Sequence, residues 1–117
     1  MRIDISPVPF GYKSILKKEF LRGNIPLKRD ITGHKIDKRN VTLDHTVPKA
    51  RGGKSNLFNY SLMEMVVNRE RNTDFLKDYI DLPSLIDYIL VMLEVDLEGL
   101  NGIEYLKNWL PNLKKEV

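Results

Sequence analysis

The sequence contains no cysteine. Disulfides and thiolate metal sites are therefore excluded, and the composition fits a reducing compartment. It also lacks a long apolar run: Ile89-Leu90-Val91-Met92-Leu93 is the longest and is far too short to cross a bilayer, so no membrane partner is expected. Met1-Arg2-Ile3-Asp4-Ile5-Ser6-Pro7 carries none of the apolar stretch of a signal peptide, which points to a cytoplasmic protein. Histidine is scarce, with two in 117 residues, so either one in a chemically suggestive setting carries weight. Internal repeats, low-complexity stretches and interdomain linkers are absent from the sequence, as are helix-turn-helix and zinc-finger patterns. No aromatic-rich strand of the kind that stacks single-stranded bases is present.

What is there fits one domain over residues 1–117, long enough for a modest core. The formal net charge is only +3, but it is unevenly spread: +3 over residues 1–26, +5 over 27–72 and −5 over 73–117. A basic face beside an acidic one suggests a polyanion partner on one side, against the plainer reading of a normally solvated surface.

Ile3 and Ile5 alternate with polar neighbours, as in a short strand. Tyr12 to Leu21 has helical spacing, with Gly23 to cap it and Pro26 to stop it. Lys28 to Asn40 is polar and turn-like. Val41-Thr42-Leu43 is a β-prone run leading into Asp44-His45, and residues 46–56 form a loop containing Pro48, Gly52 and Gly53. Leu57 to Met65 mixes strand and helix signals, and Val66 to Arg71 is helical. Thr73 or Asp74 can cap a helix reaching about Ile80. Pro83-Ser84 opens another, with Leu85, Ile86, Ile89, Leu90 and Leu93 as its buried face. Asn101-Gly102 breaks it. A last helix, Ile103 to Leu110, has Ile103, Leu106 and Leu110 on one side and ends at Pro111. Trp109, Tyr88 and Tyr105 fall in these helices and are expected in the core. The acidic helices should pack onto the central segment as scaffold.

That central segment carries the chemistry. Leu43-Asp44-His45-Thr46-Val47-Pro48-Lys49-Ala50-Arg51-Gly52-Gly53-Lys54 joins a hard-metal ligand, a titratable base and a basic glycine loop. Asn59 and Asn68 follow. Hydrolysis of a phosphodiester needs an activated water, a charge sink and positioning. Histidine is the usual proton acceptor near neutral pH. A hard divalent cation is the usual sink and prefers oxygen ligands, which Asp44 and Asn68 offer. One carboxylate and one amide oxygen suit Mg2+, or Mn2+, better than zinc. The glycines permit a tight backbone. Against this stand plainer roles: Asp44 as a cap or salt-bridge partner, His45 as a half-buried structural histidine, Asn59 as a loop residue, Asn68 as a solvent-facing helix residue, and Lys49, Arg51 and Lys54 as a solvated loop.

Asp44-His45-Thr46-Val47-Pro48, Arg51-Gly52-Gly53-Lys54, Asn56-Leu57, Asn59 and Asn68-Arg69-Glu70-Arg71-Asn72 together resemble the HNH endonucleases, in the variant with Asn at the last position. The resemblance runs from Thr42 to about Thr73, and the flanks resemble nothing recognisable. It implies an α+β protein with a ββα-metal core at about 28–74, preceded by a helix and followed by a helical extension at about 75–117. It implies that Asp44 and Asn68 hold the metal, that His45 is the general base, and that Asn59 holds the loop and orients that base. Lys49, Arg51, Lys54, Arg69 and Arg71 would approach DNA phosphates. Asn72 is either one more such contact or simply the helix end. Many relatives also carry two cysteine pairs around a structural zinc. Here those positions fall near Ile31-Thr32-Gly33-His34 and at Glu64 and Val67, so no structural zinc is expected and packing through Ile31, Ile36, Val67 and the added helices must replace it. His34 then reads as structural or exposed.

The activity so implied is metal-dependent cutting or nicking of DNA, double-stranded rather than single-stranded or RNA, in a bacterial or phage-infected cell, with a protein partner to supply specificity if one is needed. The alternatives are a non-cleaving nucleic-acid-binding module and a phage-type interaction protein that works through its acidic helices.

Overall fold

The computed structural model describes residues 14–97 and 100–117; the strand expected at Ile3 and Ile5 lies outside them. The architecture is α+β. Helix α1 (Ile15–Leu21) buries Ile15, Leu16 and Phe20. It closes through Gly23, whose φ of +84° is the left-handed conformation that ends helices cheaply only at glycine.

A turn-rich segment follows, drawn together by a bridge between Arg29 and Lys35. Its centre is Asp30, which is fully buried. One carboxylate oxygen accepts from Thr32 N at 2.9 Å, Thr32 Oγ1 at 2.6 Å and His34 N at 3.0 Å. The other accepts from Glu64 N at 2.9 Å. Four donors compensate the buried charge and clip this knuckle to the chain where the next helix begins. Ile31, Ile36 and Val67 are all in the core around it, and His34 is exposed with Nδ1 at 2.7 Å from Thr32 Oγ1. Hydrogen bonds and packing thus hold this segment together.

Strand β1 (Val41–His45) pairs antiparallel with β2 (Tyr60–Glu64), with Asp44 opposite Ser61 and His45 opposite Tyr60. The connecting loop contains two single 3-10 turns, Lys49–Arg51 and Leu57–Asn59. Helix α2 (Met65–Arg71) follows β2 without a linker, and the Glu64 side chain caps it by accepting from Val67 N at 3.0 Å. Leu62 and Met63 of β2 are fully buried, and α1 packs against the hairpin.

The C-terminal part departs from expectation in three places. The helix expected from Thr73 or Asp74 is only a 3-10 turn, Leu76–Asp78. Asp74 O is occupied by Arg71 Nε at 2.9 Å, Phe75 is extended, and Lys77 N donates to Glu116 O, so the chain is pinned before a helix can propagate. Helix α3 (Leu82–Leu93) forms where expected, capped by Asp81, but its buried residues are Tyr88 and Met92. Leu85 and Ile89 are partly buried, whereas Ile86, Leu90 and Leu93 are exposed at 50%, 57% and 43%. The helix is apolar nearly all round, and a tyrosine ladder chooses the inner face: Tyr88 OH meets Tyr105 OH at 2.8 Å, and Tyr105 OH donates to Tyr60 O at 2.6 Å.

After a two-residue pairing of β3 (Asp96–Leu97) with β4 (Leu100–Asn101), helix α4 (Gly102–Lys114) runs through Pro111 rather than ending there. Pro111 removes one helical donor, but Leu113 is buried and Asn112 Nδ2 donates to Phe58 O at 2.9 Å, so tertiary contacts keep the last turn. Leu106 is buried as expected, while Ile103 and Leu110 are exposed. Trp109 is fully buried and donates from Nε1 to Thr46 Oγ1 at 2.9 Å, so α4 packs directly onto the end of β1.

Candidate active site

The end of β1, the loop after it and α2 enclose an open groove of about 400 Å³ whose lining includes Asp44, His45, Lys49, Asn68, Arg69 and Asn72. Three residues separated in sequence by up to a helix and a strand therefore meet in one place: the carboxylate, the imidazole and the amide. A larger groove of about 580 Å³ lies between Lys28–Gly33 and the start of α3, but it mixes Lys28 and Arg29 with Asp81 and Asp87 and holds none of these groups.

Asp44 is 3% exposed. Its Oδ2 accepts from Arg71 Nη1 at 2.5 Å, while no hydrogen bond from the described residues reaches Oδ1. Burial pushes its pKa up to about 7, against the pull of the Arg71 guanidinium and with a further push from Glu116 and Asp30. Asp44 thus combines a carboxyl that burial biases toward its protonated form with one oxygen that is free of hydrogen bonds from the described residues and lines the groove.

His45 is half-buried. Burial, and then the nearby Lys49 charge, hold its pKa below the ordinary histidine value, so the imidazole is neutral and able to accept a proton at neutral pH. Its Nε2 lies 3.0 Å from Ser55 Oγ, and its ring meets the Tyr60 ring edge-on at 5.0 Å between centroids. When Nε2 donates to Ser55, Nδ1 is left as the basic nitrogen. Ser55 is thus a positioning residue; a serine in a polar loop has no sequence signature that would have singled it out.

Asn68 lies on α2 and donates from Nδ2 to Thr42 Oγ1 at 2.8 Å. This fixes the amide and leaves its oxygen as the atom able to face a cation. Among the described residues, no three His, Asp or Glu side chains converge on one point. The donors are therefore one carboxylate oxygen and one amide oxygen. Both are hard, and they fit a magnesium-type ion that keeps several of its waters; zinc, which favours imidazole or thiolate nitrogen and sulfur, fits poorly.

Asn59 is buried and, among the described residues, makes no hydrogen bond to His45. Its Oδ1 accepts from Val47 N at 2.9 Å, and its Nδ2 donates to Val47 O and Lys54 O, both at 2.9 Å. It holds the loop closed across its base, and its backbone carbonyl accepts from Thr46 N, next to His45, at 2.8 Å. The two glycines serve this loop for different reasons. Gly52 has φ +91°, whereas a Cβ on Gly53 would lie 1.7 Å from Val47 O. Asn72, at the end of α2, has φ +48°, which asparagine tolerates better than most residues, and it also faces the groove.

Arg71 requires a correction. It is fully buried and cannot reach a phosphate. All five of its N–H donors are used: Nε on Asp74 O, Nη1 on Asp44 Oδ2 and His45 O, and Nη2 on Thr46 O and Glu116 Oε1. Glu116, itself 2% exposed, also accepts from Arg51 Nη2. Arg51 further donates to Thr73 O and stacks at 4.0 Å over the Phe75 ring, so its guanidinium is largely committed to structure. Arg71, Asp44 and Glu116 thus form a buried network, joined from the surface by Arg51, that ties Asp44 to the end of the chain. Lys54 lies on the other side of the loop from the groove that holds Asp44. Of the six sequence-derived phosphate contacts, Lys49, Arg69 and Asn72 face the candidate site. Asp30, Ser55 and Glu116 were not legible beforehand, because their partners are fixed by tertiary contact rather than spacing.

No family model, curated protein or solved structure matches this chain.

Proposed function

We propose that the protein is a metal-dependent endonuclease of the HNH type, with a ββα-metal core at about 28–74, that nicks DNA. One observation carries this reading: an uncommitted oxygen of Asp44, a neutral His45 and the amide of Asn68 line one groove, flanked by the cations Lys49 and Arg69. A strand, strand and helix in direct succession support it.

In this reading Lys49, Arg69 and Asn72 seat the DNA backbone, and Asp44 with Asn68 would hold the cation. When bound, a magnesium-type ion supplies charge stabilisation for the phosphate and the leaving oxygen. His45 accepts a proton from water at Nδ1, the resulting hydroxide attacks phosphorus in line, and the bond to the 3′ oxygen breaks. The products are a 5′-phosphate and, after protonation, a 3′-hydroxyl. Ser55 holds the imidazole while it charges, and Asn59 keeps the loop from shifting. A single such site cuts one strand per encounter.

The test is conversion of supercoiled plasmid to nicked circles by the purified protein with Mg2+ or Mn2+, beside EDTA and beside His45→Ala. Nicking that needs both metal and His45 supports the proposal; nicking that persists in EDTA, or appears only with zinc, overturns it.

A second reading rests on the Asp44–Arg71 contact, which commits one carboxylate oxygen to structure: a non-cleaving module that binds nucleic acid on the same groove. It predicts DNA binding, no nicking and no rise in melting temperature on adding divalent metal. An interaction protein is favoured only by the exposed Leu82, Ile86 and Leu90 of the acidic α3 segment, and it predicts neither activity.

A further inference from the structure

The loop joining β1 and β2 has two sides. One presents Lys49 to the candidate active site. The other, together with α4, encloses a second groove of about 260 Å³ whose lining includes Lys54, Asn56, Asn108, Asn112 and Lys115 and no acidic residue. Lys54 and Lys115 are exposed, and neither has an ion pair or hydrogen-bond partner among the described residues. This is unexpected for α4, which lies in the part of the chain with a net charge of −5. Its acids have partners of their own: Glu104 lies 3.9 Å from Lys107, and Glu116 just beyond the helix is bonded to Arg51 and Arg71. The groove is thus left with two uncompensated ammonium groups. Asn108 and Asn112 each spend one amide hydrogen on a backbone carbonyl, of Glu104 and Phe58, and retain a second N–H. Ammonium groups and amide N–H donors without a carboxylate match phosphate oxygens.

We propose that this groove is a second phosphate-backbone subsite, in which Lys54 and Lys115 hold a stretch of nucleic acid outside the scissile position. The proposal rests on the nuclease reading for the identity of the polyanion. It makes α4 part of the binding surface as well as scaffold, and it places cations on both sides of one loop, so that the backbone is gripped in the cleavage groove and again across the loop from it.

The test is equilibrium binding of a fluorescein-labelled DNA duplex across a salt series, in a His45→Ala background that prevents cleavage. Lys54→Ala and Lys115→Ala should each reduce the slope of log K against log salt by about 1, and together by about 2. Lys107→Ala removes the same charge from the 71%-exposed outer side of α4 and should leave the slope unchanged. All three residues are exposed, and melting curves establish that the variants are folded. If the Lys54/Lys115 double variant keeps the parental slope while Lys49→Ala and Arg69→Ala lower it, the second subsite is overturned and the nuclease reading stands. If Lys107→Ala matches Lys115→Ala, the effect is bulk charge and the subsite is equally overturned. If the parent does not bind DNA and the wild type does not nick, both proposals fall.

Discussion

Replacing Arg71 with methionine should be among the most damaging single changes in this protein. The substitution removes a guanidinium whose five N–H groups satisfy two carboxylates and three backbone carbonyls, in a site with no solvent access. Removing one partner of a buried ion pair costs about 3–5 kcal/mol, because the remaining charge stays buried without compensation. That is a large fraction of the roughly 5–15 kcal/mol that holds a domain together, and in a chain of this size it corresponds to a fall in Tm of roughly 10–25 °C. Arg71→Lys retains the charge but offers three donors to five acceptors, so its cost should be intermediate. Arg71→Met combined with Glu116→Gln should be less damaging than the sum of the two, because the second change neutralises a charge that the first strands. Trp109 provides the probe: it is the sole tryptophan, is fully buried and is bonded to Thr46, so its fluorescence reports global unfolding in urea. Arg69→Met, on the exposed side of the same helix, should change stability by no more than about 0.5 kcal/mol. If Arg71→Met lost less than about 1 kcal/mol while DNA affinity fell, Arg71 would be a phosphate contact, and the buried network would be wrong.

Other expectations follow from the same geometry. Gly52→Ala, at φ +91°, should cost about 1–2 kcal/mol through backbone strain alone, whereas Gly53→Ala drives a methyl into Val47 O and should cost more and abolish nicking; urea melts of both separate the two mechanisms. Metal affinity should rise with pH through 7. The raised pKa of Asp44 leaves it protonated below that point, so Mn2+ measured by titration should bind about tenfold more weakly at pH 6 than at pH 8. Asp44→Asn should remove that dependence, and equal affinity of the wild type at both pH values would sink the assignment. By linkage, the folded protein holds more protons than the unfolded chain between the ordinary aspartate value of 3.8 and about 7. Asp44 therefore subtracts stability as pH rises through that window, and the difference between wild type and Asp44→Asn across a pH series of melts reads it out.

The local signals in the sequence singled out residues that the structure does bring into one groove. Val41-Thr42-Leu43 is a strand because β-branched and apolar residues favour a pleated, half-buried surface, and the glycine pair marks a loop because no other residue suits those two positions. Asp44, His45 and Asn68 could be named together because their spacing is tied to one hairpin and one helix. Where sequence failed, the deciding contact was distant. Arg69 and Arg71 look equivalent on paper, but two positions along a helix is a rotation of about 200°, which sends one to solvent and the other into the core. The inner face of α3 could not be read from periodicity, since apolar residues surround the helix and a hydrogen-bonded chain from the Tyr60 backbone carbonyl through the Tyr105 and Tyr88 hydroxyls selects it. Pro111 ordinarily ends a helix, yet Asn112, Leu113 and Glu116 are each held from outside it. Asp30 carries no motif at all, although its four hydrogen bonds clip residues 30–34 to the start of α2.

The most direct test is the nicking rate of wild type, His45→Ala, Asp44→Asn and the double variant on supercoiled plasmid with Mg2+, each checked for folding by the Trp109 signal. If the two residues work as one catalytic unit, each single change should lower the rate by about 10²–10⁴-fold, and the double variant should be little slower than the worse single. Folded single variants that nick at the wild-type rate would contradict the assignment of the site.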